Sequence, residues 1–188
     1  MDKVCNRILK SIRESQNEVV EYGGRVPRPH LLERSIHVGF FDGASQNEGT
    51  RCGVGVVLKL SSSVYYKVKM NCVAGKNTRG DILALWCLLF FARKRQVNRL
   101  HIVGDSKTIM DWYNFKCNLQ VASFKNMKQK IITLSSKFDF VEGHHVLREY
   151  NYEVDQLSKW SLDFEEGKKY FSLFEGSLEG PIQVFSIF

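Results

Sequence analysis

Four aspartates stand in sequence settings that suggest chemistry rather than packing. Each is flanked by strongly apolar sequence, where a charged carboxylate is costly unless it is paired or binds a cation. The four are Asp42, within residues 40–45; Asp81, after residues 77–80; Asp105, after residues 102–104; and Asp155, within residues 151–158.

Taken singly, these aspartates have ordinary structural explanations. Asp81 can be an acid favoured by the dipole at a helix N-terminus, and Asp105 can cap a helix. Asp155 can be a surface residue of a helix. Taken together, the four lie where neighbouring strands and helices can bring them to one place, so we predict a single carboxylate cluster.

A carboxylate cluster suits a particular chemistry. Its members repel one another and raise each other's pKa values, and hard divalent cations relieve that repulsion. Mg²⁺ prefers oxygen ligands, and two ions about 3.5–4 Å apart can activate a water and stabilise the leaving oxygen of a phosphodiester. The residues therefore indicate two Mg²⁺ or Mn²⁺ ions and phosphoryl chemistry.

The hydrophobic pattern predicts the elements that must position these acids. Three strand-like segments separated by turn residues predict an antiparallel meander. Helical spacing of apolar residues follows, with two further strands between the helices. The order βββαβααβα implies a mixed sheet with helices on its faces. The predicted strands are 36–41, 53–60, 64–73, 99–103 and 138–146, and the predicted helices are 81–95, 105–115, 121–136 and 151–162.

The two ends of the chain differ from this central pattern. Apolar residues at helical spacing near the start precede Pro27 and Pro29, which favour an extended linker. We predict an N-terminal helix and linker over residues 1–31, one domain over 32–163 and a tail over 164–188. The tail is apolar and should pack against something that the pattern does not specify.

Composition narrows the class of protein. The 188 residues carry a net charge of +7, which suits a polyanionic partner such as nucleic acid. No apolar segment reaches membrane-spanning length, and no secretory signal is visible at Met1. The five cysteines form no CxxC pair, so we expect reduced thiols and an intracellular protein of the cytoplasm, the nucleus or both.

The settings of the four acids match known motifs in order. They are a DGAS segment at 42–45, a GVGVVL strand at 53–58, an acid after an asparagine-containing turn at 77–81, a D-S pair at 105–106 and an H-V-x-R-E-x-N-x-x-x-D segment at 145–155. Over residues 25–163 the chain resembles plant ribonuclease H-like domains related to those of retrotransposon reverse transcriptases. A stand-alone chain of this type also resembles host-encoded plant proteins that act in virus resistance.

The resemblance implies an α/β ribonuclease H-like fold. Its mixed five-stranded sheet would have three antiparallel strands, then parallel ones, and helices on both faces. It also implies a two-metal endonuclease that cuts RNA within a duplex, either an RNA–DNA hybrid or double-stranded RNA. Asp42 and Asp105 would bridge or flank the two ions, and Asp81 and Asp155 would complete one ion each.

Other residues receive roles from the same resemblance. His145 would help protons or product leave, although a plain strand-end histidine explains it equally well. Short polar groups suit contacts to sugar and phosphate, and basic side chains suit phosphates, unless they are simply solvated or, for Arg148, paired with Glu149. The predicted nucleic-acid contacts are Ser45, Asn47, Asn77, Thr78, Arg79, Lys107 and Arg148.

The chain departs from the family pattern in ways that affect activity. Asp81 stands where glutamate is usual, so its carboxylate is withdrawn by one methylene, and Gly80 before it can let the backbone compensate. No basic helical protrusion follows Trp112. Two hypotheses result: an active nuclease, or a weak or inactive domain that binds nucleic acid or protein.

Overall fold

The computed structural model describes residues 37–72, 74–118 and 124–185. The helix and linker predicted for residues 1–31 lie outside this range. Among the described residues, no helix is both long enough and apolar enough to cross a membrane.

Three antiparallel strands form the predicted meander. They are β1 (His37–Gln46), β2 (Arg51–Lys59) and β3 (Val64–Cys72). The first strand is longer than predicted, because its pairing with β2 continues to Gln46, opposite Arg51. Asp42 therefore lies inside β1, and the expectation that it ends the strand was wrong. The residues after Asp42 are small, so the sequence pattern did not predict the rest of the strand. The register of this part is set by pairing with β2.

Two parallel strands complete the predicted sheet. β4 (Arg99–Gly104) pairs parallel with β1, and β5 (Phe140–His145) pairs parallel with β4. The helices are α1 (Asn77–Lys94), α2 (Lys107–Tyr113), α3 (Lys125–Ser135) and α4 (Tyr152–Trp160). The predicted mixed sheet, antiparallel first and parallel afterwards, is confirmed.

The C-terminal tail adds strands to the same sheet. β6 (Lys169–Glu175) runs antiparallel to β3, and the two short strands β7 (Leu178–Glu179) and β8 (Gln183–Val184) pair with β6. The sheet order is β5-β4-β1-β2-β3-β6-β7. Phe171 and Phe174 of β6 are buried, so the apolar tail packs as a continuation of the sheet.

Helices cover both faces of the sheet, as predicted. On one face α1 packs so closely that a Cβ at Gly39 would meet Leu88. On the other face α4 crosses β2, where a Cβ at Gly55 would meet the backbone of Val154. Strand side chains alternate between faces, so the two glycines lie where a helix approaches each face. The buried core between α1 and the sheet is built from aliphatic and aromatic side chains.

Candidate active site

The sheet brings the first and third acids together. The parallel pairing of β1 with β4 ends at Phe40, opposite Val103, so Asp42 and Asp105 both follow the last paired residues of adjacent strands. Strands that run parallel end at the same edge of a sheet. The point where β1 and β4 cease to pair therefore brings two carboxylates together although 62 residues separate them in sequence.

A contact between glycines brings Asp81 to the same place. A Cβ at Gly43 would lie 2.1 Å from the carbonyl carbon of Gly80, so α1 crosses β1 with backbone against backbone. This approach lets the Gly43 amide donate a hydrogen bond to Asp81 Oδ1 at 3.2 Å. Asp81 therefore reaches the backbone of β1, next to Asp42, from the first turns of α1.

The three carboxylates affect one another electrostatically. Burial raises the pKa of Asp42 to about 7, with further increases from the charges of Asp81 and Asp105, while the Ser158 hydroxyl, which donates at 2.9 Å, opposes the shift. Burial also raises the pKa of Asp81 to about 6, against hydrogen bonds from Ser106 and Gly43. The cluster therefore carries negative charge that the described residues do not neutralise.

Asp155 lies in the first half of α4, as predicted, but its surroundings are cationic. Arg148 donates to Oδ1 at 2.6 Å, and Lys159 donates to Oδ2 at 2.5 Å. Burial alone would raise the pKa of Asp155, but the hydrogen bonds and charges of Lys159 and Arg148 outweigh it and lower the pKa. This fourth carboxylate is paired inside the protein.

Two positioning residues were missed by sequence reasoning. Asn151 is buried, and its amide donates to Asp105 Oδ1 at 3.1 Å and to the Phe41 carbonyl at 3.0 Å. Ser158 is buried as well and bonds Asp42. Both are polar residues on the face of α4 that carries Asp155, at spacings of four and three residues, and that periodicity was the available signal.

His145 lies at the end of β5, beside the third acid. Its Nε2 is 3.2 Å from the Asp105 carbonyl oxygen and donates to it. The predicted proximity of His145 to the acids is therefore present, and the imidazole is held by the backbone that carries Asp105.

Comparison with known protein families identifies the family of this chain. The sequence model described as "Reverse transcriptase-like" matches residues 40–161, which include all four acids. The chain belongs to the reverse transcriptase-like family. No curated protein sequence matches the chain.

Solved structures similar to this reverse transcriptase-like chain are ribonucleases H. RNase H1 from the halophilic archaeon Halobacterium salinarum NRC-1 has a TM-score of 0.63 at 21% identity, covering 69% of this chain and 98% of that one. The N-terminal RNase H domain of a Mycobacterium tuberculosis protein, solved as a fusion with maltose binding protein, has a TM-score of 0.62 at 19% identity, covering 69% and 100%. LC11-RNase H1, in complex with an RNA/DNA hybrid, has a TM-score of 0.60 at 16% identity, covering 68% and 96%. These likenesses confirm the ribonuclease H fold.

The reverse transcriptase-like chain has an open groove between the end of β1, the strand that carries Asp42, and the start of α1, the helix that carries Asp81. Four of the predicted nucleic-acid contacts line this groove, which has a volume of about 630 Å³. They are Ser45, Asn47, Asn77 and Thr78. Arg79 follows in the first turn of α1.

Two predicted phosphate contacts are instead engaged within the protein. Lys107 forms an ion pair with Asp111, one turn further along α2. Arg148 pairs with Asp155 and not with Glu149, the alternative that the sequence suggested. A phosphate at either position would compete with a carboxylate already in place or use the remaining N–H groups of the cation.

Proposed function

We propose that this protein is a divalent-metal-dependent endonuclease that cuts RNA within a duplex. The observation that carries the proposal is the convergence of Asp42, Asp81 and Asp105 from two strands and a helix. The pKa values of Asp42 and Asp81 are raised by burial and by repulsion from neighbouring carboxylates. Carboxylates held together against repulsion are typical of sites that bind cations.

The residues present fit Mg²⁺ or Mn²⁺. The donors are carboxylate oxygens, the ligand type that these ions prefer. Asp42, Asp81 and Asp105 would hold the ions directly. Asp155 would join them on release from Arg148 and Lys159, which now occupy both of its oxygens.

Each part of the chain has a distinct role in this proposal. Bound divalent ions supply Lewis-acid chemistry that favours attack of water on a phosphodiester. Ser158 and Asn151 orient the Asp42 and Asp105 carboxylates through their hydrogen bonds. His145 is placed to carry a proton away from the reacting region or to assist product release, and Arg148 can turn from Asp155 towards a phosphate.

The substrate proposed first is an RNA–DNA hybrid. A structural relative, LC11-RNase H1, is solved with an RNA/DNA hybrid, and the net charge of +7 favours a polyanion. The groove beside the acids presents hydroxyl and amide groups, which suit the 2′-hydroxyls of a wide minor groove. Double-stranded RNA has the same hydroxyls and is the alternative substrate. Because the chain resembles plant virus-resistance proteins, we propose viral RNA duplexes as its targets. We also propose that it acts inside the cell.

A cleavage assay on the full chain tests this function. Labelled RNA–DNA hybrid, double-stranded RNA and DNA duplexes are incubated with Mg²⁺, Mn²⁺ or a chelator. We expect metal-dependent internal cuts in RNA that leave 5′-phosphate and 3′-hydroxyl ends, and none with chelator. Failure to cut any RNA duplex in either metal, with folded protein, would contradict the proposal.

A second candidate function is nucleic-acid binding without cleavage. The pairing of Asp155 with Arg148 and Lys159 favours it, because a neutralised carboxylate is a poorer cation ligand. The same assay separates the two functions. A binding module retains the duplex in a mobility-shift gel while leaving it intact in both metals.

A further inference from the structure

A second group of side chains that could bind a metal lies where the parallel strands β4 and β5 pair. His101 of β4 is directly opposite Glu142 of β5 in the strand register. His144 lies two residues after Glu142, and alternation places all three side chains on one face of the sheet. The cluster therefore arises from the pairing of two neighbouring strands.

The potential ligand atoms of this cluster converge. His101 Nδ1 and His144 Nε2 are 2.6 Å apart. Glu142 Oε2 lies 3.8 Å from His101 Nδ1 and 3.7 Å from His144 Nε2. The other ring nitrogen of His101, Nε2, is buried without a hydrogen-bond partner among the described residues, so Nδ1 is the only nitrogen of this ring that contacts another polar group there.

These distances are close to those between the ligand atoms of a tetrahedrally coordinated ion. Zinc–nitrogen and zinc–oxygen bonds of about 2.0–2.2 Å place neighbouring ligand atoms about 3.3–3.5 Å apart. The two nitrogens would separate by about 0.7 Å, and the carboxylate oxygen would approach by about half an ångström. The side chain of Glu142 is 55% exposed and that of His144 is 30% exposed, so both can make these adjustments.

The donor set selects the class of ion. Two imidazoles and one carboxylate suit zinc and similar borderline transition metals, whereas Mg²⁺ prefers oxygen ligands alone. Imidazole binds a metal in its neutral form, through either ring nitrogen.

We propose that His101, Glu142 and His144 bind one divalent transition-metal ion of the zinc class. The ion enters from the exposed side of Glu142 and joins β4 to the edge strand β5. Three protein ligands leave a fourth position for water or a further group. Because His145 follows His144 directly, the ion would also stiffen the strand end that carries this histidine.

Metal binding by the purified full chain tests the proposal without any activity measurement. Zn²⁺ is titrated in competition with a chromophoric chelator, in the presence of excess Mg²⁺ to occupy the aspartate site. Co²⁺ is added separately, because its visible absorption reports tetrahedral coordination by nitrogen and oxygen. We expect one Zn²⁺ per chain, and Co²⁺ bands that added Zn²⁺ abolishes.

Variants assign the ion to its ligands. Loss of an outer partner of a metal site costs about 10–100-fold in affinity, so Glu142→Gln and His144→Gln, which each remove a ligand, should weaken Zn²⁺ binding at least about tenfold. Glu142 is exposed, so its variant keeps the fold testable. His37→Gln is the matched control, because His37 lies on β1 one residue from the partner of His101 and so faces the opposite side. Asp42→Asn should retain the ion.

Two results would overturn the site. One is the absence of stoichiometric Zn²⁺ binding by the parent chain. The other is binding that persists in folded Glu142→Gln and His144→Gln but disappears in Asp42→Asn, because the ion would then occupy the aspartates. In either case the two histidines form only a hydrogen-bonded pair.

Discussion

Asp42 and Asp155 are both buried, at 9% and 4% exposure. Asp42 accepts a hydrogen bond from Ser158 of α4 and Asp155 belongs to α4, yet their electrostatic surroundings are opposite. Asp42 faces the carboxylates of Asp81 and Asp105, and its pKa is raised to about 7. Asp155 lies between Arg148 and Lys159, and its pKa is lowered. One part of the site repels further negative charge, and the other is neutralised by the protein itself.

The difference shows that four acids of one site need not be equivalent. Added cations would relieve the repulsion around Asp42, whereas at Asp155 they would compete with an arginine and a lysine already in place. The two aspartates should therefore respond in opposite directions when their charge is removed.

Asp42→Asn should produce the largest change, in cleavage. Losing a central ligand should lower the cleavage rate on the order of a thousand-fold or more, since removal of even one stabilising group in an active site costs about 10²–10³-fold. Its stability should stay equal or rise, because repulsion with Asp81 and Asp105 falls. Cleavage rates and denaturant unfolding measure both effects, and a folded variant that still cuts RNA would remove Asp42 from the site.

Asp81→Glu should change the rate less, by about tenfold, an order expected when a metal site is disturbed without loss of its ligand. The backbones of β1 and α1 are in contact at Gly43 and Gly80, and Asp81 already reaches the Gly43 amide, so the longer side chain should crowd the site and lower Mg²⁺-supported cleavage. Mn²⁺ tolerates altered geometry better and should restore part of the rate.

Asp81→Ala is the control for this substitution, and it should be far worse in both metals. If Asp81→Ala cleaved like the parent in Mg²⁺, Asp81 would not be a ligand. If Asp81→Glu instead raised the Mg²⁺ rate, the aspartate would be too short for full activity and the close backbone contact would leave room for glutamate.

Asp155→Asn should destabilise the protein, in contrast to Asp42→Asn. It leaves Arg148 and Lys159 without their shared acceptor; because the Arg148 side chain is 72% exposed, water limits the loss to about 1–2 kcal/mol. The free energy of unfolding in denaturant measures it. Asp163→Asn, at an exposed ion pair with Arg51, is the matched control and should change stability by less than about 0.5 kcal/mol. A higher free energy of unfolding in Asp155→Asn would contradict the proposed difference between Asp155 and Asp42.

The last expected effect is a change in the pH dependence of stability. Asp42 and Asp81 have folded pKa values of about 7 and 6, above the ordinary 3.8, so the folded state binds more protons between these limits. In chelator, their contribution to stability is full below about pH 4 and is lost as pH rises towards 7. Asp155 has the opposite sign, and its contribution is lost as pH falls through its lowered pKa.

Unfolding free energies of parent and Asp42→Asn across this pH range isolate the Asp42 contribution. The variant should lose less stability than the parent between pH 4 and 7. Parallel curves for the two proteins would show that Asp42 titrates in the folded state as it does when unfolded.

The sequence alone determined the order of strands and helices and the identity of the acids. Apolar periodicity is local, so it predicted the meander, the two later strands and α1 and α4. The motifs at 42–45, 105–106 and 145–155 identified the family because each contains one of the acids and they follow one another in the family's order. The end of β1 was misjudged, since pairing with β2 and not residue type extends the strand through Ala44 and Ser45.

Only the tertiary structure decided how the acids are paired and where the tail lies. The Gly43–Gly80 contact and the opposition of His101 to Glu142 join residues far apart in sequence. The pairing of Arg148 with Asp155, and not with its neighbour Glu149, depends on how the segment before α4 folds. Such contacts depend on register and helix placement, which local periodicity does not encode. The pairing of β6 with β3 likewise needed the folded sheet, whose free edge offers the hydrogen bonds that the tail completes.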